Sequence, residues 1–358
     1  MEKDFLKIKQ LYDILEDNES KWIFENRLLF SLSSNWEYIR RMLLRFKRQD
    51  ILTVIDILEK VDSFQNKIVV FGAGGCGRTI VNFLEHYGIE IECFSDNDKS
   101  KIGQIIEGRP VISVEQLVKR YSKSWIIIGS EIYDDEITDQ LINEGFSKKK
   151  LIHLKYQDKL QYFDNDIVQP GSDEVFIDGG AYDGRTSEKY IEWAGRQNVK
   201  KIYLFEPAID HFKLCKENIG LQNCGIKIEY YNAGLSNKKG LLKFKYDGEG
   251  SRVSLDGESE IPVVPLDEIV KGEKISFIKL DIEGCELDCL MGAEVVIQTC
   301  RPVIAVCVYH KPEDIIDIMQ YLRSVLTEYR FYLRHYSISA MDTVLYAVPE
   351  ERWRKQYE

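Results

Sequence analysis

The sequence predicts an α/β protein: two doubly wound parallel sheets behind an N-terminal helical region. Two observations carry this. A strand, a glycine turn, a helix and a second strand follow one another twice, from Lys67 to Asp96 and again from Val175 to Glu206. Before them, Lys3 to Val61 holds no Gly and no Pro, and its apolar residues recur at helical spacing. The 358 residues leave room for two or three domains, each able to bury a core without disulfide or metal staples.

Composition narrows the class. With 44% hydrophobic and 30% charged residues the chain is an ordinary globular one, not a collagen-like or disordered one. The formal charge of −11 disfavours phosphate backbones and anionic lipid, so neither nucleic acid nor a membrane is an expected partner. Eight cysteines are scattered without a C-x-x-C pair, which reads as reduced thiols rather than a zinc site. Met1 to Lys9 is charged, and no apolar run approaches 18 residues. A reducing cytoplasm without a membrane span is therefore expected.

In the helical region, taken as 1–66, Phe5, Ile8, Leu11 and Leu15, then Ile39, Met42, Leu43 and Phe46, mark two or three helices. Trp22, Phe24, Phe30 and Trp36 read as packing residues, and the region is also where a homodimer contact is expected. A small Rossmann-like domain is expected over 67–155. Its strands are Lys67–Phe71, Ile89–Phe94, Trp125–Ile128 and Leu151–Leu154, and a helix runs through Asp134–Glu144. Tyr156 to Gly171 reads as a polar connector. The second domain, 171–349, has strands at Val175–Asp178, Lys201–Phe205, Lys227–Tyr231, Phe277–Leu280 and Val303–Val308. Leu241–Tyr246 and Glu260–Val264 alternate like a hairpin. One amphipathic helix is expected over Glu286–Thr299. The closing strands, Tyr329–His335 and Thr343–Val348, have too short a link for a helical crossover and must be antiparallel.

The two glycine turns differ chemically. Gly72-x-Gly74-x-x-Gly77 with Asp96 after the next strand matches a dinucleotide fingerprint and suggests NAD, though many βα turns need glycine only to bend. No Gly-Lys-Ser/Thr follows either turn, which excludes a P-loop. In the second turn, Asp178 precedes Gly179-Gly180, where a free carboxylate would repel a pyrophosphate. Glu206, 22 residues after Gly184, can accept two ribose hydroxyls. Such a site suits a cationic adenosine ligand, S-adenosylmethionine (SAM).

Five blocks occur in order: Val175-Phe-Ile-Asp-Gly-Gly-Ala-Tyr-Asp-Gly184, Leu204-Phe-Glu-Pro207, Asn232-Ala-Gly-Leu-Ser236, Phe277-Ile-Lys-Leu-Asp-Ile-Glu-Gly284 and Tyr309-His-Lys-Pro312. Together they resemble the FkbM-type SAM-dependent methyltransferases, over about Gly171 to Pro349. The resemblance implies a class I methyltransferase-type sheet with a final antiparallel strand. It implies SAM as cofactor, held by Asp178, Gly180, Tyr182, Gly184, Glu206 and Ala233. Tyr182 stands where many members carry Asn. The implied reaction is O-methylation of a hydroxyl, on a sugar or glycoconjugate precursor. Phe94-Ser-Asp-Asn-Asp98, Gly108-Arg-Pro-Val111 and Ser113-Val-Glu-Gln-Leu117 resemble Rossmann-like modules attached to sugar-modifying enzymes. The alternative is a non-catalytic SAM- or nucleotide-sugar-binding regulatory module.

An alcohol is a poor nucleophile until its proton is removed, so a positioned base is required. His310 is the preferred base because its reference pKa is near neutral, Asp281 is its orienting partner, and Glu283 is a third candidate. Asp281 also reads as a turn residue, and His310 as a loop histidine capping the helix near Pro312. Asp281 and Glu283 supply too few oxygen ligands for a divalent cation, so no metal is assigned. In the loop Asp247–Ser254, Arg252 is placed either to hold an acidic sugar or phosphate or in a solvated tip.

Overall fold

The computed structural model describes residues 2–45, 67–130, 133–153, 161–220, 225–245, 252–253, 257 and 259–353. The chain divides into two compact units. One comprises Met1–Leu32, Leu160–His335 and Asp342–Glu358; the other comprises Ser33–Lys159 and Tyr336–Met341.

The smaller unit is built on β1 (Ile68–Phe71), β2 (Cys93–Ser95), β3 (Ile105–Ile106), β4 (Arg109–Ile112), β5 (Trp125–Ile128) and β6 (Leu151–His153). They form one sheet in the order β3-β4-β2-β1-β5-β6, parallel throughout except the β3–β4 pair. β1 is buried at every position, as a central strand covered on both faces must be. Close packing accounts for two of the turn's glycines. A Cβ on Gly77 would stand 1.9 Å from the Gly72 carbonyl oxygen, and Gly72 itself has φ +106 against Gly129. Asp96, expected to be free for a ribose, accepts from Ala73 N at 2.8 Å and from Lys101 Nζ at 3.1 Å. Its carboxylate closes the turn.

The larger unit carries β7 (Glu174–Gly179), β8 (Val199–Phe205), β9 (Lys227–Tyr231), β10 (Gly234–Leu235), β11 (Gly240–Lys245), β12 (Arg252–Val253), β13 (Ser259–Val264), β14 (Phe277–Leu280), β15 (Val303–Cys307), β16 (Tyr329–His335) and β17 (Thr343–Pro349). The main sheet runs β16-β17-β15-β14-β7-β8-β9. The five strands from β9 to β15 are parallel, and β17 is antiparallel to both its neighbours. This is the expected class I arrangement. The chain leaves β7 for β8 on one side and reaches β14 on the other, so the carboxyl ends of β7 and β14 flank the topological switch point where α/β sheets bind ligands. β11 and β13 form the expected antiparallel pair, with Leu242 opposite Ile261, in a separate four-stranded sheet. Most of the loop 247–254 lies outside the described residues, as does the Arg252 side chain.

Three expectations are corrected. The helical region is not a unit of its own: α1 (Glu2–Asp13) and α2 (Asn18–Ser33, up to Leu32) fall in the larger unit, and α3 (Glu37–Arg45) in the smaller, while 46–66 lie outside the described residues. The reason is pairing with β16, where Leu15 forms a bridge to Phe331 and the Ser20 hydroxyl accepts from Leu333 N at 2.9 Å. The connector's end is also not a linker, because Tyr162, Phe163, Ile167 and Val168 are buried in the larger unit. The helix expected over 286–299 is broken at Gly292, where a Cβ would stand 2.2 Å from the Ser236 carbonyl oxygen.

Beneath the sheet, Phe163, Phe176, Tyr190, Trp193 and Phe277 pack ring against ring, with Phe176 and Tyr190 stacked at 4.0 Å. Among the described residues, Cys93, Cys215, Cys285, Cys289, Cys300 and Cys307 are free thiols, and Cys224 lies outside the described residues. No described helix is long and apolar enough to cross a membrane.

Arg334 on β16 ties α2 to the sheet, with Nη2 2.7 Å from Asp17 Oδ2 and Nη1 donating to Ser20 at 3.0 Å. Replacing Arg334 by Met strands Asp17 beside a nearly buried site and is expected to cost about 2 kcal/mol, discounted for the exposure of Asp17. Urea unfolding of the full chain measures it.

Candidate active site

β7 ends in Asp178-Gly179, and the chain then turns through Gly180 (φ +74), Tyr182 (φ +54) and Gly184 (φ +85) into the helix Arg185–Ala194. Gly180 is obligatory, since a Cβ there would stand 1.8 Å from the Asp281 carbonyl oxygen. The turn from β7 is thus pressed against the turn from β14, and residues from both strands share one crevice.

Asp178 does not stand free. It is fully buried, its Oδ1 lies 3.1 Å from Lys279 Nζ, and its Oδ2 accepts from Ser187 Oγ at 2.7 Å. Lys279 also donates to the carbonyls of Gly179 at 3.0 Å and Gly180 at 2.6 Å. Burial opposes its charge, yet Asp178 and Asp281 outweigh burial and hold its pKa above the ordinary lysine value. The repulsion of phosphate expected from Asp178 is therefore cancelled by a neighbouring cation. Asp178 shapes the turn.

Glu206 follows β8. Its two oxygens accept from Tyr182 N at 2.9 Å and Ala208 N at 2.8 Å. Burial raises its pKa to about 7, opposed by those two amides and by Lys279 and reinforced by Asp178. His211 Nδ1 lies 4.0 Å away, and its ring packs on Tyr182 at 4.3 Å. Each Glu206 oxygen accepts one backbone bond and keeps capacity for another, which suits a pair of vicinal hydroxyls. Ala233, past the end of β9, is buried, and Asn232 donates to the carbonyls of Glu206 and Pro207 at 2.9 Å each. Tyr182 is 39% exposed at the rim.

On the β14 side, Asp281 accepts from the Tyr162 hydroxyl at 2.7 Å and the Tyr309 hydroxyl at 3.0 Å. His310, past β15, puts Nε2 3.3 Å from Asp281 and 3.6 Å from Glu283, and Nδ1 2.9 Å from Glu286. Burial pushes the Asp281 pKa up, but His310, Lys279 and Tyr162 together hold it well below the carboxylate range. For His310, burial acts against the charge and the contacts with Asp281 and Glu286 prevail, raising its pKa to about 11. The imidazole expected from the sequence to titrate near neutrality is, in this arrangement, shifted toward its protonated form. His310 does not cap the helix Asp314–Val325, whose N-cap Glu313 makes no side-chain cap hydrogen bond, and the Asp314 carboxylate instead accepts from Lys311 N at 2.7 Å.

The structure thus gathers Asp281, Glu283 and His310 on one side of the crevice and the Gly180–Gly184 turn, Glu206 and Ala233 on the other. Sequence reasoning missed Lys279, Tyr162, Tyr309 and Glu286. A lysine inside the apolar run Phe277-Ile-Lys-Leu280 was a signal, because a buried strand rarely carries one unpaired. Tyr162 sat in a stretch read as linker and gave none.

The family model described as Methyltransferase FkbM domain matches residues 178–331. This stretch is an FkbM methyltransferase domain. A second family model, described as C2185-like, N-terminal, matches residues 64–152. Among solved structures, the chain is similar to the methyltransferase FkbM from Methylobacillus flagellatus KT, at 18% identity over 89% of this chain and 100% of that one, with a TM-score of 0.49. A SAM dependent methyltransferase from Aquifex aeolicus matches at 14% identity, over 49% of this chain and 84% of that one, with a TM-score of 0.29. M. capricolum TrmK, solved with S-adenosyl-homocysteine, matches at 9% identity, over 53% and 67%, with a TM-score of 0.29. No curated protein matches the chain. The cofactor of the FkbM domain is SAM, and the left-handed turn with its buried ribose-type carboxylate fits that ligand.

Lys279→Met leaves Asp178 buried without a counter-charge and is expected to cost about 3–5 kcal/mol in urea unfolding, while adding Asp178→Asn restores most of the loss. Glu206 ionises near 4.5 in the unfolded chain and near about 7 in the folded one. The folded state therefore holds more protons between those values, and stability falls as pH rises from 4.5 to 7, by about 3 kcal/mol in full. Glu206→Gln is expected to flatten that part of the ligand-free stability curve.

Proposed function

We propose that the FkbM domain transfers the methyl group of SAM to a hydroxyl oxygen of a sugar or glycoconjugate precursor. The observation that carries this reading is the Asp281–His310–Glu286 cluster, set against the Gly180 turn at the switch point of the sheet. A hydroxyl nucleophile needs a group to receive its proton, and the crevice supplies carboxylates, an imidazole and two tyrosine hydroxyls around a single strand end. Such a dense set of donors and acceptors suits a polyol. The sugar class also agrees with the implied chemistry of the FkbM family.

In this reading Glu206 accepts the ribose hydroxyls, the Gly180–Gly184 turn receives the amino-acid tail beside Tyr182, and Ala233 leaves room for adenine. Bound SAM supplies an electrophilic methyl on a sulfonium. Asp281, held in place by Tyr162 and Tyr309, orients the acceptor hydroxyl. His310 receives the hydroxyl proton in its neutral form, having first released to solvent the proton that Asp281 and Glu286 favour on it. Glu283, one third exposed and 3.6 Å from His310, lines the acceptor side.

Incubation with methyl-labelled SAM and a panel of glycans and of nucleotide-linked and lipid-linked sugars tests the reaction, read by where label lands. Label on a hydroxyl oxygen is the expected result; label on no hydroxyl acceptor overturns it. Asp178→Ala and Glu206→Ala are expected to abolish saturable SAM binding, the first by opening the turn. His310→Gln is expected to lower transfer by about 10²-fold or more while leaving SAM affinity within about twofold.

A further inference from the structure

We propose that Asp281, Glu286 and His310 form a binding site for one divalent transition-metal cation. One ligand atom from each of the three residues falls within 4.8 Å of the others. Two ligands that share a cation through bonds of about 2.1 Å stand about 3–4 Å apart, and Asp281 Oδ1 lies 3.3 Å from His310 Nε2. The sequence offered Asp281 and Glu283 and too few further ligands. The fold adds Glu286, from the first turn of the helix Glu286–Met291, and the imidazole from the end of β15.

A second observation is independent of that clustering. Glu286 is fully buried, and its Oε2 has no hydrogen-bond partner; Oε1 is already committed to Ile282 N at 2.8 Å. The His310 side chain is 9% exposed, and neither of its ring nitrogens makes a hydrogen bond of acceptable direction, although carboxylate oxygens stand at 2.9 and 3.3 Å. A buried carboxylate oxygen and a buried imidazole left in this way are costly unless something else satisfies them. A protonated imidazole would aim its N–H groups along the ring plane at acceptors. A cation between the groups needs no such alignment.

The surroundings fit a metal centre. Tyr162 and Tyr309 each donate to one oxygen of Asp281, fixing a ligating carboxylate from outside. One imidazole with two carboxylates suits Mn²⁺, Fe²⁺ or Zn²⁺ better than Ca²⁺ or Mg²⁺, which favour all-oxygen sets. A dication balances two carboxylates, and it binds the neutral form of His310 through a ring nitrogen that carries no proton. With the cation bound, His310 is a ligand and does not receive the hydroxyl proton; the cation then lowers the pKa of an acceptor hydroxyl bound beside Asp281 and the proton leaves to solvent, a use that rests on the methyl-transfer reading. Its binding does not.

The test uses the full chain, stripped with a chelator, and Mn²⁺ as probe. Titration followed by electron paramagnetic resonance is expected to show one bound Mn²⁺ per chain, with a rise in Tm. Glu286→Gln and His310→Gln are each expected to weaken binding at least about 10-fold. Their folding is checked by circular dichroism and S-adenosylhomocysteine binding. Wild-type protein that binds neither Mn²⁺ nor Zn²⁺ at pH 7 or pH 9 overturns the proposal, as does unchanged binding in both folded variants. Because S-adenosylhomocysteine binding is read on the same samples, cofactor binding without metal refutes the metal site alone, whereas metal binding without cofactor refutes the methyl-transfer reading alone.

Discussion

The buried pair of Lys279 and Asp178 holds the centre of the larger unit together. One cation, 1% exposed, neutralises a carboxylate at the end of β7 and binds two carbonyls of the turn that follows. Without it, the strand end would carry an uncompensated charge and two carbonyls facing the interior without this donor. With it, the turn is fixed against β14 at a distance only glycine allows at position 180. The crevice takes its shape from that constraint. The side chains that do chemistry are then added from strand ends that cannot move independently.

Electrostatics in the crevice are organised in two tiers. Near Glu206 the balance is mild: burial raises the carboxyl, and backbone amides oppose it. Around Asp281 the balance is severe. Lys279, His310 and two tyrosine hydroxyls converge on one carboxylate, and its pKa falls even though burial alone would raise it. The same closeness that depresses Asp281 raises His310. The two shifts are one interaction seen from its two ends, and they explain why a histidine that looks poised for base catalysis in a sequence is drawn toward its charged form by the fold.

The smaller unit shows that a glycine fingerprint has more than one cause. Gly72 and Gly77 are needed because three backbone segments meet with no space for a Cβ. Asp96 is engaged with the turn's own amide and with Lys101. Gly74, like its neighbour Gly75, has open space around it, consistent with a backbone that could approach a ligand but does not require one. Pattern matching weighs these glycines equally, whereas packing separates them.

The sequence by itself determined the central strands of both sheets, the two glycine turns and the FkbM-type blocks, because each is written locally: a β-branched run buried on both faces, a left-handed turn, a carboxylate at a strand end; the short strands β3, β4, β10 and β12 carry no such run. It also determined that the last strands are antiparallel, since chain length forbids any other connection. What only the tertiary structure decided is which groups share charge. Lys279 and Asp178 are 101 residues apart, and Tyr162 and Asp281 are 119 apart. Whether a carboxylate is free, paired or solvated depends on neighbours brought by the sheet from distant strands. The N-terminal helices divide between two units for the same reason: their apolar spacing announces a buried face but not the surface that buries it.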